Sequence, residues 1–185
     1  MIFLLVALIT LQSILLVAGI GFLLWIIFLV IPGFVGGPPF VGSKDEIRNA
    51  LFSLAALKPG EKVIDVGSGD GRLLIIAAKQ GCVAIGYEIN PFLVWFSRYK
   101  IWRAGLWGKA RVHLCDFWAA DFSDADVVVI YGFSPIMERL GQKLSRELRV
   151  GTRVVAARSP FVGWREEKIE NRTYLYRVAK EKEIR

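Results

Sequence analysis

Val63-Ile64-Asp65-Val66-Gly67-Ser68-Gly69-Asp70-Gly71-Arg72 decides how this chain is read. An apolar run holding one acid breaks into glycines at alternate positions. Leu73 to Lys79 then follow at helical spacing, so the stretch predicts a strand, a sharp turn and a helix starting near Asp70. Such a turn lets backbone lie flat against a nucleotide-like ligand, because each glycine removes a Cβ where the chain bends or a ligand approaches. The spacing is not the G-x-G-x-x-G of a dinucleotide site, since Arg72 stands where the third glycine would fall. Asp65, just ahead of the turn, would repel a pyrophosphate at close range and suits a cation.

S-adenosyl-L-methionine meets these demands: it has no phosphate, carries an ammonium and a sulfonium, and has a ribose diol that wants a carboxylate. Glu88 supplies that carboxylate at the end of the next apolar run (Val83 to Tyr87), 21 positions after Gly67 and close to the offset of a ribose-binding acid. The alternative is a plain strand-to-helix turn with a surface glutamate nearby.

Outward from this core the chain divides sharply. Its first 43 residues contain no charged side chain and no histidine, and all 24 Lys and Arg and all 17 Asp and Glu lie from Lys44 onward. About 140 residues remain for one globular domain, which carries the whole formal charge of +7 and favours an anionic neighbour: a membrane surface, nucleic acid or an acidic protein. Met1 to Ile31 is almost wholly apolar, and as a helix it would run about 45 Å, against a hydrocarbon core of about 30 Å. It reads as a transmembrane anchor, with 32–42 as linker and 43–185 as the globular domain. A secretory signal is the competing reading, but the run lacks a basic start and is too long. The basic flank is entirely C-terminal, which predicts a single-pass protein whose domain faces the cytoplasm, or the matrix if mitochondrial.

Pro32-Gly33 and Gly36-Gly37-Pro38-Pro39 are expected to end the span, and Ser43-Lys44-Asp45-Glu46 has the form of a capping box opening a helix. Further strands are expected at Arg111 to Leu114, Asp126 to Ile130 and Arg153 to Ala157, with a helix from about Ile136 to Leu148 and a closing hairpin turning at Asn171-Arg172. Strands alternating with helices predict a mostly parallel sheet. Asn90-Pro91 opens a helix whose Phe92, Trp95, Phe96, Tyr99 and Trp102 share one face; taken alone, such a stripe reads as core. Arg98, Lys100 and Arg103 interleave with it and are placed to rest on lipid headgroups. Cys82 and Cys115 read as packed thiols and His113 as structural, and the pattern offers no metal cluster.

The runs from Asp65 to Arg72 and from Gly86-Tyr87-Glu88-Ile89-Asn90-Pro91 to Trp95, then Ser97-Arg98-Tyr99, resemble the membrane-anchored protein-lysine N-methyltransferases. That family includes mitochondrial enzymes that methylate the c-subunit of ATP synthase and the adenine nucleotide translocase, with prokaryotic relatives. The resemblance implies a class I S-adenosylmethionine-dependent methyltransferase fold, α/β and Rossmann-like, behind an N-terminal transmembrane helix. It implies that Asp65, Gly67, Ser68, Gly69 and Gly71 line the methionine part of the cofactor, that Glu88 with Asn90 holds the ribose end, and that Asp116 and Phe117 border the adenine. Phe40 and Gly42 are similar to the family segment that folds over the cofactor. Arg158 to Glu167 is too short for a further helix, which implies a compact version of the fold.

Methyl transfer from a sulfonium is a direct displacement, so the protein must mainly align a lone pair with the methyl group. Making a lysine neutral at pH 7 costs about 4.6 kcal/mol from a model value near 10.4, and an apolar channel beside a cationic cofactor reduces that cost without a dedicated base. Tyr131, Phe133 and the Ser134-Pro135 turn are the expected acceptor channel; the other reading of Tyr131 and Phe133 is as core aromatics. The expected partners are the lipid bilayer and a protein, itself membrane-embedded, that offers an accessible lysine. Asp126 to Pro135 lacks an N-P-P-Y-like motif, which argues against nucleic acid. A lipid or quinone-like acceptor, and a membrane module that holds the cofactor without turnover, are the alternatives.

Overall fold

A computed structural model of the chain describes residues 2–34 and 45–179, with the side chains of 2–26 and 45–179. It divides into two compact units, Met1–Pro39 and Phe40–Arg185. The described residues of the first form one helix, α1 (Ile2–Phe34), of 33 residues. It runs through Pro32 and Gly33, three residues past the expected boundary, because a proline forfeits its own N–H bond but leaves the following N–H groups able to reach back four residues. The hydroxyls of Thr10 and Ser13 return to the carbonyls of Ala7 and Ile9 at 2.9 Å each, so neither needs water. Among the described residues this is one helix long and apolar enough to cross a membrane.

The second unit is a seven-stranded sheet in the order β3-β2-β1-β4-β5-β7-β6. Its elements in chain order are α2 (Asp45–Ala55), β1 (Lys62–Val66), α3 (Arg72–Lys79), β2 (Val83–Glu88), α4 (Pro91–Arg103), β3 (Ala110–Leu114), β4 (Val127–Tyr131), α5 (Ser134–Glu147), β5 (Arg153–Ala157), β6 (Glu166–Glu170) and β7 (Thr173–Arg177). Strands β1 to β5 pair in parallel, whereas β7 runs antiparallel to both β5 and β6. The expected hairpin is present, and Asn171 and Arg172 both take the positive φ (47° and 56°) that a two-residue turn between twisted strands requires. Helix α3 starts at Arg72, later than expected, because left-handed Gly71 caps it.

Alternation along the strands sends side chains to two cores. Val63, Ala84, Val127, Val129 and Val155 meet Leu51, Leu74, Val94 and Ile101 from α2, α3 and α4 on one face. Ile64, Val66, Val128, Ile130 and Val154 meet Met137, Leu140 and Leu144 of α5 on the other. Chain order reverses between β1 and β4, whose C-terminal ends therefore flank the crevice where open parallel sheets take their ligands.

The aromatic stripe of α4 corrects the sequence reading. Val94, Ser97 and Ile101 are the buried positions of this helix, while Phe92, Trp95, Tyr99 and Trp102 are exposed. Periodicity showed that these rings share a face but carried no information on which way that face points. Val94 and Ile101 join Ala84 of β2 and Ala110 and Val112 of β3 in the core, which turns the ring face of the helix outward.

Candidate active site

The turn after β1 is held by its neighbour strand. The N–H groups of Gly67 and Ser68 both donate to the Tyr87 carbonyl at 3.0 Å, and Gly71 N–H donates to Ser68 O at 2.9 Å. Gly67, Gly69 and Gly71 take φ values of 78°, 54° and 73°, a region that strains any residue with a Cβ. A Cβ on Gly67 would meet nothing within 4 Å, so that glycine borders open space, whereas one on Gly71 would strike Ser97 of α4. Of the glycines expected to line a ligand, Gly71 therefore serves close helix packing. Gly86 does likewise, because a Cβ there would strike Ser68 and Leu74.

Glu88 ties the site together. Its Oε2 accepts from Gly69 N–H at 2.9 Å and its Oε1 from Asn90 N–H at 2.8 Å, so one buried carboxylate joins the end of β2, the glycine turn and the start of α4. The Asn90 carboxamide, expected at the cofactor, accepts from the N–H groups of Phe92 and Leu93 and caps α4. Asp116 lies just beyond β3, where Cys115 N–H donates to the Glu88 carbonyl at 3.0 Å, and its side chain accepts from Trp118 N–H. Phe117 packs on Trp118 with ring centres 4.8 Å apart.

Asp65 stands apart from these paired groups. Its register partners are Gly86 on β2 and Val129 on β4, and it shares a sheet face with Val63. It is buried, and its Oδ2 has no hydrogen-bond partner; the Ser68 Oγ is equally buried and unpartnered. Burial first, then the charges of Glu88 and Asp70, push its carboxyl up from 3.8 to about 8. Asp70 behaves oppositely. Burial would raise it, but hydrogen bonds from Arg72 and from Lys100 Nζ (2.9 Å) outweigh that and hold it at about 2, so its charge is spent on fastening α3 to α4.

The residues expected to form the acceptor channel lie at the end of β4 and in the turn that follows it. Tyr131 follows Val127 and Val129 on the face that carries Asp65, two residues past the Asp65 partner, which puts the two backbones about 8 Å apart. A Cβ on Gly132 would sit 2.9 Å from the Ala157 carbonyl, and Gly132 N–H donates to that carbonyl at 2.7 Å. Phe133 is exposed, Ser134 Oγ meets Ser159 Oγ at 3.0 Å, and Pro135 stands in the first turn of α5. Sequence reasoning missed two residues here. Arg158 takes a positive φ of 71° and lays its guanidinium 5.6 Å from the centre of the Tyr131 ring. Ser159 is buried beneath the turn. Only the pairing of β4 with β5 brings them to Tyr131, and no local motif marks them. Phe40 and Gly42 lie outside the described residues.

The donor set fits S-adenosylmethionine. An unpaired buried carboxylate and hydroxyl beside open glycine backbone suit a cationic amino acid, and Glu88 stands at the next strand end for a diol. No group of three or more metal-binding side chains occurs among the described residues.

Known proteins share this plan. The human lysine N-methyltransferase of the ATP synthase c-subunit is 45% identical over 127 residues, 68% of this chain and 54% of that protein. The chain thus spans about half the length of that relative. A protein-lysine N-methyltransferase of Saccharolobus islandicus is 30% identical over 154 residues, 78% of this chain and 96% of that one. The crystal structure of an RNA methyltransferase from Salinibacter ruber in complex with S-adenosyl-L-homocysteine superposes with a TM-score of 0.73 at 27% identity, covering 76% of this chain and 95% of its own. The family model described as the ANTKMT methyltransferase domain matches residues 65–168, more than half the chain and beginning at the aspartate that the turn leaves unpaired. This protein belongs to the ANTKMT methyltransferase domain family.

Proposed function

We propose that the chain is an S-adenosylmethionine-dependent protein-lysine N-methyltransferase, tethered to a membrane by α1 and acting on a lysine of a membrane protein from the cytoplasmic or matrix side. The observation that carries this reading is the unpaired Asp65 carboxyl, buried on the sheet face that also presents Glu88 on β2 and Tyr131 on β4. A buried acid without a partner is costly unless a cation completes it.

The cofactor supplies an electrophilic methyl on a sulfonium. Asp65 with Ser68 would hold its ammonium end, Glu88 its ribose, and the turn at Asp116 and Phe117 would border its base. Tyr131 would orient an incoming amine, and the Arg158 cation beside its ring would disfavour the protonated amine. Neither Tyr131 nor Arg158 need accept a proton, because losing it to water before transfer costs only the few kcal/mol that this environment reduces.

Three features support the membrane tether: α1, the charge-free first 43 residues and the wholly C-terminal basic flank. The similarity to an enzyme named for the c-subunit of ATP synthase supports a protein substrate. Incubating the full chain with labelled S-adenosylmethionine and membranes tests the reading. Label is expected in protein and released as methyl-lysine on hydrolysis. Label in extracted lipid would instead assign a lipid or quinone-like acceptor, and label in neither would leave a cofactor-binding module.

A further inference from the structure

The outer face of α4 and the turn behind it place three of the six tryptophans of the chain in water. Trp95, Trp102 and Trp107 are 63%, 64% and 59% exposed, and with Arg98 and Tyr99 they line an open groove of about 610 Å³. The rings form a ladder, with Trp95 stacked on Tyr99 at 6.1 Å and Tyr99 followed by Trp102 at 6.3 Å. The Arg103 guanidinium lies 5.9 Å from the centre of the Tyr99 ring. From Ile89 to Cys115 the chain has no Asp or Glu but has Arg98, Lys100, Arg103, Lys109 and Arg111. Lys100 is paired with Asp70 and Arg98 donates twice to the Val112 carbonyl, which leaves Arg103 and Lys109 as exposed basic side chains beside the rings.

We propose that this aromatic and basic face docks on the headgroup region of an anionic bilayer, a second contact beside the tether; the proposal rests on the membrane reading above. Tryptophan and tyrosine favour that region because each joins an apolar ring to a polar tip, and basic side chains beside them meet lipid phosphates. Charge separates the possible occupants. Near-parallel rings with an arginine in the groove repel a quaternary ammonium, so this is no cage for choline or a methylated lysine. A partner protein of ordinary composition would not need a run of 27 residues free of acids, whereas an anionic lipid surface rewards it. Docking would hold the domain against the surface from which a membrane-embedded lysine emerges.

The test uses the full chain with Trp25→Phe, which removes the tryptophan of α1, reconstituted into vesicles containing lipids brominated high on the acyl chain. Phosphatidylglycerol vesicles are expected to quench a large share of the tryptophan emission. Phosphatidylcholine vesicles, or high salt, should largely restore it. Substituting Trp95, Trp102 and Trp107 by Ser should abolish the quenching. The milder pair Arg103→Glu and Lys109→Glu, at exposed positions, should weaken docking by roughly fivefold or more for each reversed charge. Quenching that ignores lipid charge or survives these changes would overturn the proposal. So would unquenched tryptophans together with equal loss of protein methylation in detergent and in vesicles, which assigns the face to a protein partner. Failure of the full chain to float with vesicles would overturn the tether as well, while flotation without quenching would overturn docking alone.

Discussion

At the scale of single residues, Asp65 sets the pH behaviour of the site. Its folded-state value of about 8 lies above the ordinary 3.8, so the folded chain holds this proton across that window. The unliganded protein is therefore most stable, with respect to this group, below about pH 4 and loses stability as pH rises toward 8. A cation seated beside the carboxyl reverses the preference, so cofactor binding should release a proton between those limits and tighten with pH up to about 8. Calorimetry in buffers of different ionisation enthalpy reads that proton directly. Asp65→Asn keeps the neutral form permanently; it should stabilise the unliganded protein by about 2 kcal/mol or more at pH 8, leave it unchanged near pH 4, and weaken cofactor binding at least tenfold. On the acceptor side, Tyr131→Phe should slow methyl transfer with cofactor affinity intact, and equal rates would remove the hydroxyl from the chemistry.

At the scale of elements, the site depends on how β1, β2, α3 and α4 meet. Glu88 accepts from backbone N–H groups in two segments, so Glu88→Ala should lower stability and cofactor affinity together, by about 2–4 kcal/mol for stability. The opposite signs expected for Asp65→Asn distinguish a binding group from a scaffold group in thermal melts run with and without cofactor. Gly71→Ala combines left-handed backbone with a collision at Ser97 and should cost about 2–4 kcal/mol in urea denaturation; adding Ser97→Gly should relieve only the collision. The local pattern that announced these elements was strong. Short apolar or alternating runs between turns marked β1 to β5, the glycine turn marked the ligand end of β1, and Asn171-Arg172 marked the last hairpin. What it could not carry was orientation and long-range pairing. The ladder on α4 was legible as one face but not as an outward one, and Arg158 reaches Tyr131 only because β5 pairs with β4. Asn90, expected at the cofactor, uses its carboxamide to accept from the N–H groups that open its own helix, a role the N-cap position before Pro91 also favours.

At the scale of the whole molecule, an uncharged helical segment precedes a basic methyltransferase domain whose ligand crevice lies at the C-terminal ends of β1 and β4. The proposed tether would act through concentration, confining the domain to substrates of one membrane without any contact to them. It follows that moving the domain to solution should reduce methylation of membrane substrates far more than it changes cofactor affinity. The central claim, that the acceptor is a lysine of a membrane protein, is tested most directly by mass spectrometry of membrane proteins from cells with the wild-type chain and with Asp65→Asn. A lysine in a membrane protein that is methylated with the first and unmethylated with the second is the predicted result. Identical lysine methylation in both, with the difference appearing in the lipid fraction or nowhere, would contradict it.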